Sequence, residues 1–217
     1  VLFDWDNTLI DSWDCIHAAL NVTFEAMGLP AWSLEDTLAK VRRSLRESFP
    51  LLFGERWEEA RAVYYQHFSA HHLEHLRPLA GARELLETLS GQGVYLAVVS
   101  NKTGRFLRAE AAALGWEGYF GRLVGAADAA VDKPDPEPVR LALEPLGLVP
   151  GRFRADEAWF IGDADVDMEC AHATGCLPIL VGGGADAGFE RFPPAIRVAD
   201  CGALAALVRR IGPFDRL

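Results

Sequence analysis

Two aspartates separated by one residue follow a short apolar run: Asp4 and Asp6 in "VLFDWDNTLI". Side chains two apart in extended backbone point the same way, so both carboxylates face one place. At an effective dielectric near 20, two such charges ~4 Å apart repel by roughly 4 kcal/mol. A cation, a proton held by one acid, or both must offset that repulsion. Further along stand Ser100 and Asn101 at the end of "VVSN", Lys133 in "DKPDPEP", and Asp163 and Asp167 in "FIGDADVD". Four acids, an ammonium and a hydroxyl brought together favour a hard divalent cation, and Mg²⁺ with its oxygen ligands fits best. Lysine and metal together would receive a phosphate dianion that the acids alone repel.

These groups meet only if the chain carries their flanking segments to one edge. Short, uniformly apolar runs bounded by turn residues recur: "VLFDW", "VYLAVVS" (94–100), "RLVGA" (122–126), "AWFIG" (158–162), "LPILVG" (177–182) and a weaker "AIRVAD" from Ala195. Such runs read as strands buried on both faces. Helix-length stretches lie between them: "AGARELLETLSG", "TGRFLRAEAAALG", "DPEPVRLALEPLG" and "ADVDMECAHATG". The alternation predicts a Rossmann-like parallel α/β sheet. Each acid, hydroxyl or ammonium then falls at, or just beyond, the carboxyl end of a strand, where open α/β sheets bind ligands.

Residues 15–78 break the alternation. "DCIHAALNVTFEAMG", "SLEDTLAKVRRSLRESF" and "ERWEEARAVYYQHFSAHHLEHL" all carry the three-and-four apolar spacing of helices. The expectation is a core of residues 1–14 and 79–217, with an all-helical insert that hangs over the mouth of the sheet as a lid.

"DWDNTL", "VVSN", Lys133 in "DKPDPEP" and "GDADVD", in that order, resemble the four motifs of the haloacid dehalogenase superfamily. The helical insert, and "PLAGARELLETL" after it, are similar to the phosphoglycolate-phosphatase-like branch, over residues 1 to about 185. The resemblance implies an α/β core with an inserted helical cap and a phosphatase that forms an aspartyl-phosphate. It makes Asp4 the nucleophile and Asp6 the acid that protonates the leaving alcohol and then activates water. Mg²⁺ would be held by Asp4, Asp163 and the backbone carbonyl of Asp6, with Asp167 binding through water or orienting its neighbours. Ser100 and the Asn101 amide would hold phosphate oxygens, and Lys133 would neutralise nucleophile and phosphate. Asn7 and Thr8 would serve the tight turn after the strand, with Thr8 bonding to the nucleophile's loop. A mutase of the β-phosphoglucomutase type would use the same intermediate. A receiver-type phospho-acceptor shares the residue types but has no helical insert. A binding homologue without activity has no reason to keep Asp4, Asp6, Lys133 and Asp163.

Substrate choice falls to the insert. "KVRRSLRESFPLLFG" matches the branch's substrate-facing loop, with Arg42 where glycine is usual. A glycine lets backbone approach a ligand and an arginine does not. Arg42, Arg43 and Arg46 offer forks for a second carboxylate or phosphate, or else form a solvated helix face. His67, His71 and His75 recur every four residues, with His72 adjacent, and read as a solvated face. Trp5 either walls the site or packs under the insert. "GGGADAG" lacks the spacing of a dinucleotide or P-loop motif and reads as a loop.

Composition narrows the partners. Net charge −10 disfavours nucleic acid and anionic membranes but leaves room for a small anionic substrate, and the resemblance implies a small phosphorylated metabolite as the partner. Cys15, Cys170, Cys176 and Cys201 form no C-x-x-C pair or zinc spacing and read as reduced thiols. With no apolar run of membrane-spanning length in the sequence and no signal-peptide pattern, the expected location is the cytoplasm.

Overall fold

Six apolar segments pair into one parallel sheet in this computed structural model, which describes residues 1–41, 43–154, 157–182 and 189–212. Its strands are β1 (Leu2–Phe3), β4 (Ala97–Thr103), β5 (Arg122–Ala126), β6 (Trp159–Gly162), β7 (Leu177–Val181) and β8 (Ile196–Val198). Their spatial order is β5-β4-β1-β6-β7-β8. Leu2 lies opposite Ala97 and Phe160, and Phe3 opposite Val98 and Ile161. Side chains alternate between faces along each strand. Phe3, Val98 and Ile161 join the core built with α5 (Ala82–Gly91), α6 (Gly104–Ala113) and α9 (Cys201–Ile211). Leu2, Val99 and Phe160 join the opposite core with α7 (Glu137–Leu143) and α8 (Asp165–Thr174). Burial on both faces is why these strands read as unbroken apolar runs. The chain builds β4 and β5 on one side of β1, then crosses to β6 on the other. The carboxyl ends of β4, β1 and β6 therefore border a topological switch point.

Four helices occupy the interval between β1 and β4: α1 (Trp13–Ala26), α2 (Leu34–Lys40), α3 (Leu45–Phe53) and α4 (Trp57–His71). Their core gathers Leu20, Phe24, Met27, Phe49 and Ala60. The chain leaves and returns through a two-stranded antiparallel pair, β2 (Ile10–Asp11) and β3 (Arg77–Pro78), so both crossings lie side by side. The stretch 33–49, expected as one helix, is two. Ser33 opens α2 with a capping box, its hydroxyl accepting the Asp36 N–H at 3.0 Å. Val41 then leaves helical geometry (φ −82°, ψ 96°), and a second helix begins at Leu45. Val41, at the break, lines the cavity described below. Arg42 and residues 183–188, most of "GGGADAG", lie outside the described residues. Among the described residues no helix is long and apolar enough to cross a membrane. The four cysteines are free and buried.

Candidate active site

Asp4 follows β1 directly, and its backbone N–H bonds to Ile161 O of the neighbouring strand at 2.8 Å. That bond fixes where the first acid leaves the sheet. Lys133 reaches the same point from the loop after β5. Its Nζ donates to Asp4 Oδ1 and to Asp167 Oδ1, each at 2.7 Å. Burial opposes the Lys133 charge, but the Asp167 and Asp4 carboxylates overcome it and hold the ammonium above its ordinary pKa. Burial pushes the Asp4 carboxyl up to about 7, with the charges of Asp167 and Asp6 adding to the rise and Lys133 pulling against it. Asn101 grips the lysine's backbone from both ends of its side-chain amide. Its Oδ1 accepts the Lys133 N–H at 3.1 Å and its Nδ2 donates to Lys133 O at 3.2 Å. The Asn101 side chain thereby holds the lysine loop in place. Ser100 is buried at the cavity edge, where its hydroxyl accepts the Lys102 N–H at 3.1 Å.

β6 ends in Gly162, and α8 begins two residues after Asp163. Asp167 is fully buried and turns back onto that junction, its Oδ2 accepting the N–H groups of Asp163 (3.2 Å) and Ala164 (3.1 Å). A Cβ at Gly162 would overlap the Asp167 side chain, so the close approach requires glycine there. Thr8 donates to Asp163 Oδ1 at 3.2 Å. The expected bond from Thr8 to the nucleophile's own loop is thus made to the fourth motif instead, because β1 and β6 are neighbours. Asn7 takes a left-handed conformation (φ 62°) and its Oδ1 accepts the Ser12 N–H, closing the turn.

The donor set can be tested against a divalent cation. Asp4, Asp163 and Asp167 each offer a carboxylate oxygen, all within 4.8 Å of one another. The ammonium of Lys133 meets two of them and, among the described residues, leaves the Asp163 carboxylate with only the Thr8 hydroxyl. Burial first, then the charges of Asp167 and Asp4, push Asp163 well above the ordinary carboxylate range. A cluster of hard oxygen donors short of positive charge fits Mg²⁺.

Asp6 stands apart from the three-acid cluster. Its Oδ1 is 2.7 Å from Lys102 Nζ and also accepts the Ser12 hydroxyl. Lys102 in turn bonds to Glu110 on α6, both groups buried. Lys102 and Glu110 drew no attention in the sequence, and His72, expected on a solvated face, is buried instead. The signal was present: Glu110 falls four residues after Phe106 and three after Leu107, on the buried face of α6. His72 falls four after the buried Phe68, while His67, His71 and His75 lie on the outer side, half-exposed or exposed. Trp5 neither walls the cavity nor packs under the insert. It is fully buried in the core, edge-on to Trp116 at 5.9 Å, with its indole N–H donating to Glu110 Oε2 at 2.8 Å.

A cavity of about 160 Å³ opens above the acids. Asp4, Asp6, Ser100, Lys133 and Asp163 line its core side; Trp13, Trp32, Leu45, Phe49 and Tyr64 line its helical side. Arg43 stands at this wall, largely exposed and 3.8 Å from Glu47. Arg46, expected beside it as a substrate fork, does not line the cavity. Its guanidinium lies 2.7 Å from the buried carboxylate of Asp132, next to Lys133. Pairing a buried acid decides its direction.

The sheet topology and the acid–ammonium cluster at its switch point define an open α/β protein with a charged site at its strand ends. The chain belongs to the haloacid dehalogenase-like hydrolase family, whose model matches residues 1–181. It is similar to a phosphoglycolate phosphatase from Pectobacterium atrosepticum, 33% identical over 82% of this chain and 77% of the relative. It is also similar to the pyrophosphatase PpaX of Halalkalibacterium halodurans, 31% identical over 84% of this chain and 82% of the relative. A haloacid dehalogenase-like hydrolase from Streptococcus pneumoniae superimposes with TM-score 0.81 at 25% identity, covering 95% of this chain and 96% of that one.

Proposed function

We propose that the protein is a Mg²⁺-dependent phosphatase that hydrolyses a small phosphorylated metabolite through an aspartyl-phosphate at Asp4. The observation that carries this reading is the Lys133 ammonium 2.7 Å from both Asp4 and Asp167, in a cluster of three acids at the cavity floor. An Asp4 oxygen attacks phosphorus; the new O–P bond forms as the ester O–P bond breaks, and protonated Asp6 gives its proton to the departing alkoxide. Water then attacks phosphorus and gives a proton to Asp6, the Asp4–phosphorus bond breaks, and phosphate leaves. Lys133 and Ser100 hold the phosphate oxygens. Asp4, Asp163 and the Asp6 backbone carbonyl would hold Mg²⁺, with Asp167 orienting them from behind. When bound, the ion supplies the positive charge that offsets the phosphate dianion.

Helices α1–α4 serve as a cap in this reading, and their wall bears on the alcohol portion of the substrate. The wall is aromatic and aliphatic, and its two cap cations among the described residues, Lys40 and Arg43, each stand beside an acid, Asp36 and Glu47. That lining supports an alcohol with an apolar face over phosphoglycolate, whose carboxylate needs a partner. It also favours hydrolysis over transfer between the hydroxyls of a sugar, as in a mutase.

Purified protein is expected to release phosphate from p-nitrophenyl phosphate with Mg²⁺, to stop with EDTA, and to resume when Mg²⁺ returns. Undiminished turnover after complete metal removal would overturn the mechanism. Across a panel of phosphate esters, aryl and arylalkyl phosphates should exceed phosphoglycolate in kcat/KM.

A further inference from the structure

Behind the proposed acid, Asp6, lies a buried charge pair that the steps above do not use. Lys102 Nζ stands 2.7 Å from Asp6 Oδ1 and 2.9 Å from each oxygen of Glu110, a residue only 1% exposed. Glu110 has further partners on both sides. Its Oε2 accepts the Trp5 indole N–H at 2.8 Å, and its Oε1 accepts from His72 Nδ1 at 2.8 Å. Phe68 completes the surround, with Lys102 Nζ 5.0 Å from its ring centroid and the His72 ring stacked on it at 5.2 Å. Removing two charges from water is expensive, and an apolar pair of similar volume fills such a space without that penalty. What the ion pair supplies, and an apolar pair does not, is a cation at one oxygen of Asp6.

The placement is selective. Lys102 and the Ser12 hydroxyl both engage Asp6 Oδ1. Asp6 Oδ2 has no hydrogen-bond partner among the described residues, and Asp6 lines the cavity. Two donors on one oxygen stop the carboxyl from rotating and reserve the other oxygen for the proton. We propose that Lys102, braced by Glu110, is a positioning residue for Asp6, fixing which of its oxygens meets the leaving alcohol; this rests on the phosphatase reading. The brace is shared between two parts of the molecule. Trp5, Lys102 and Glu110 come from the core, while Phe68 and His72 come from the end of α4. Docking of that helix therefore completes the support of the acid.

The test compares two esters of similar size, p-nitrophenyl phosphate and benzyl phosphate. Nitrophenolate leaves without a proton, whereas benzyl alcohol needs one. The quantity to read is kcat/KM, which ends when the alcohol departs. General-acid help is typically worth ~10²–10⁴-fold. Lys102→Met should therefore raise the p-nitrophenyl to benzyl ratio of kcat/KM by at least about tenfold. Lys102→Arg, which restores a cation, should return part of that ratio. Glu110→Gln keeps the side chain's shape and guards against a Lys102→Met protein that fails to fold; it should shift the ratio the same way, by less. An unchanged ratio in both Lys102→Met and Glu110→Gln, with the two esters falling together or not at all, would overturn the positioning role. A parent protein inactive on both esters with Mg²⁺ would instead overturn the phosphatase reading, and this proposal with it.

Discussion

Asp4 is held at about 7 because it is buried among other acids, and that placement makes metal binding a proton exchange. Below its pKa the proposed nucleophile carries a proton that a bound Mg²⁺ would have to displace; above it the carboxylate is free to take the ion. Asp163, pushed well above the carboxylate range, adds to the same trend. The apparent Mg²⁺ affinity, measured by calorimetric titration, should climb by at least about tenfold between pH 6 and pH 8. Asp4→Asn should weaken binding and flatten the climb; an affinity independent of pH across that range would contradict the electrostatics assigned to the floor. The sign for stability follows from the same shift. A carboxyl whose folded pKa lies above its unfolded value of 3.8 binds its proton more tightly in the folded state. In the metal-free protein its contribution is full below about 4 and is lost as pH rises through about 7. At this scale the convergence of Asp4, Asp6, Ser100, Lys133, Asp163 and Asp167 on one cavity was legible, because these residues lie on or after apolar strands and parallel strands share an edge. Lys102 and Glu110 were not, because a lysine beside Asn101 and a glutamate in a helix read as solvated until the register of Phe106 and Leu107 is set beside them.

Among the elements, α3 and the loop after β5 are tied by Arg46 and Asp132. Asp132 is 2% exposed and also accepts the Ala127 N–H at 3.0 Å. Its arginine partner is partly exposed, so solvent screens the pair and reduces its worth below that of a fully buried one. Arg46→Met keeps the stem and removes the charge, leaving Asp132 unpaired beside Lys133. The variant should lose about 1–2 kcal/mol in urea unfolding, less than the 3–5 of a fully buried pair. A stability equal to the parent's would show that the ion pair does not hold α3 against the core. The helical identity of this region was legible from its spacing, but the break at Val41 was not. The run from 33 to 49 holds no glycine or proline to stop a helix, so nothing local marks the break that the backbone makes at Val41.

For the molecule as a whole, the chain order of the sheet explains why distant motifs share one floor. β1 occupies the middle, so the first acids are flanked by the hydroxyl on one neighbour and by the last acids on the other. Insertion of the helices between β1 and β4, through the paired crossings β2 and β3, sets an apolar wall over that floor without disturbing the sheet. The α/β alternation foretold this architecture. The linkage of the helical wall to the floor through His72, Glu110, Lys102 and Asp6 depends on contacts between residues far apart in the chain, and no local pattern announces it.

The proposed mechanism requires a covalent bond between an Asp4 oxygen and phosphorus. Turnover stopped within milliseconds by acid, followed by borohydride reduction, converts an aspartyl-phosphate to homoserine, which peptide mass spectrometry locates. Homoserine is expected at position 4 in the parent protein and none in Asp4→Asn. Steady phosphate release with position 4 unmodified, or the reduced residue found elsewhere in the chain, would contradict it.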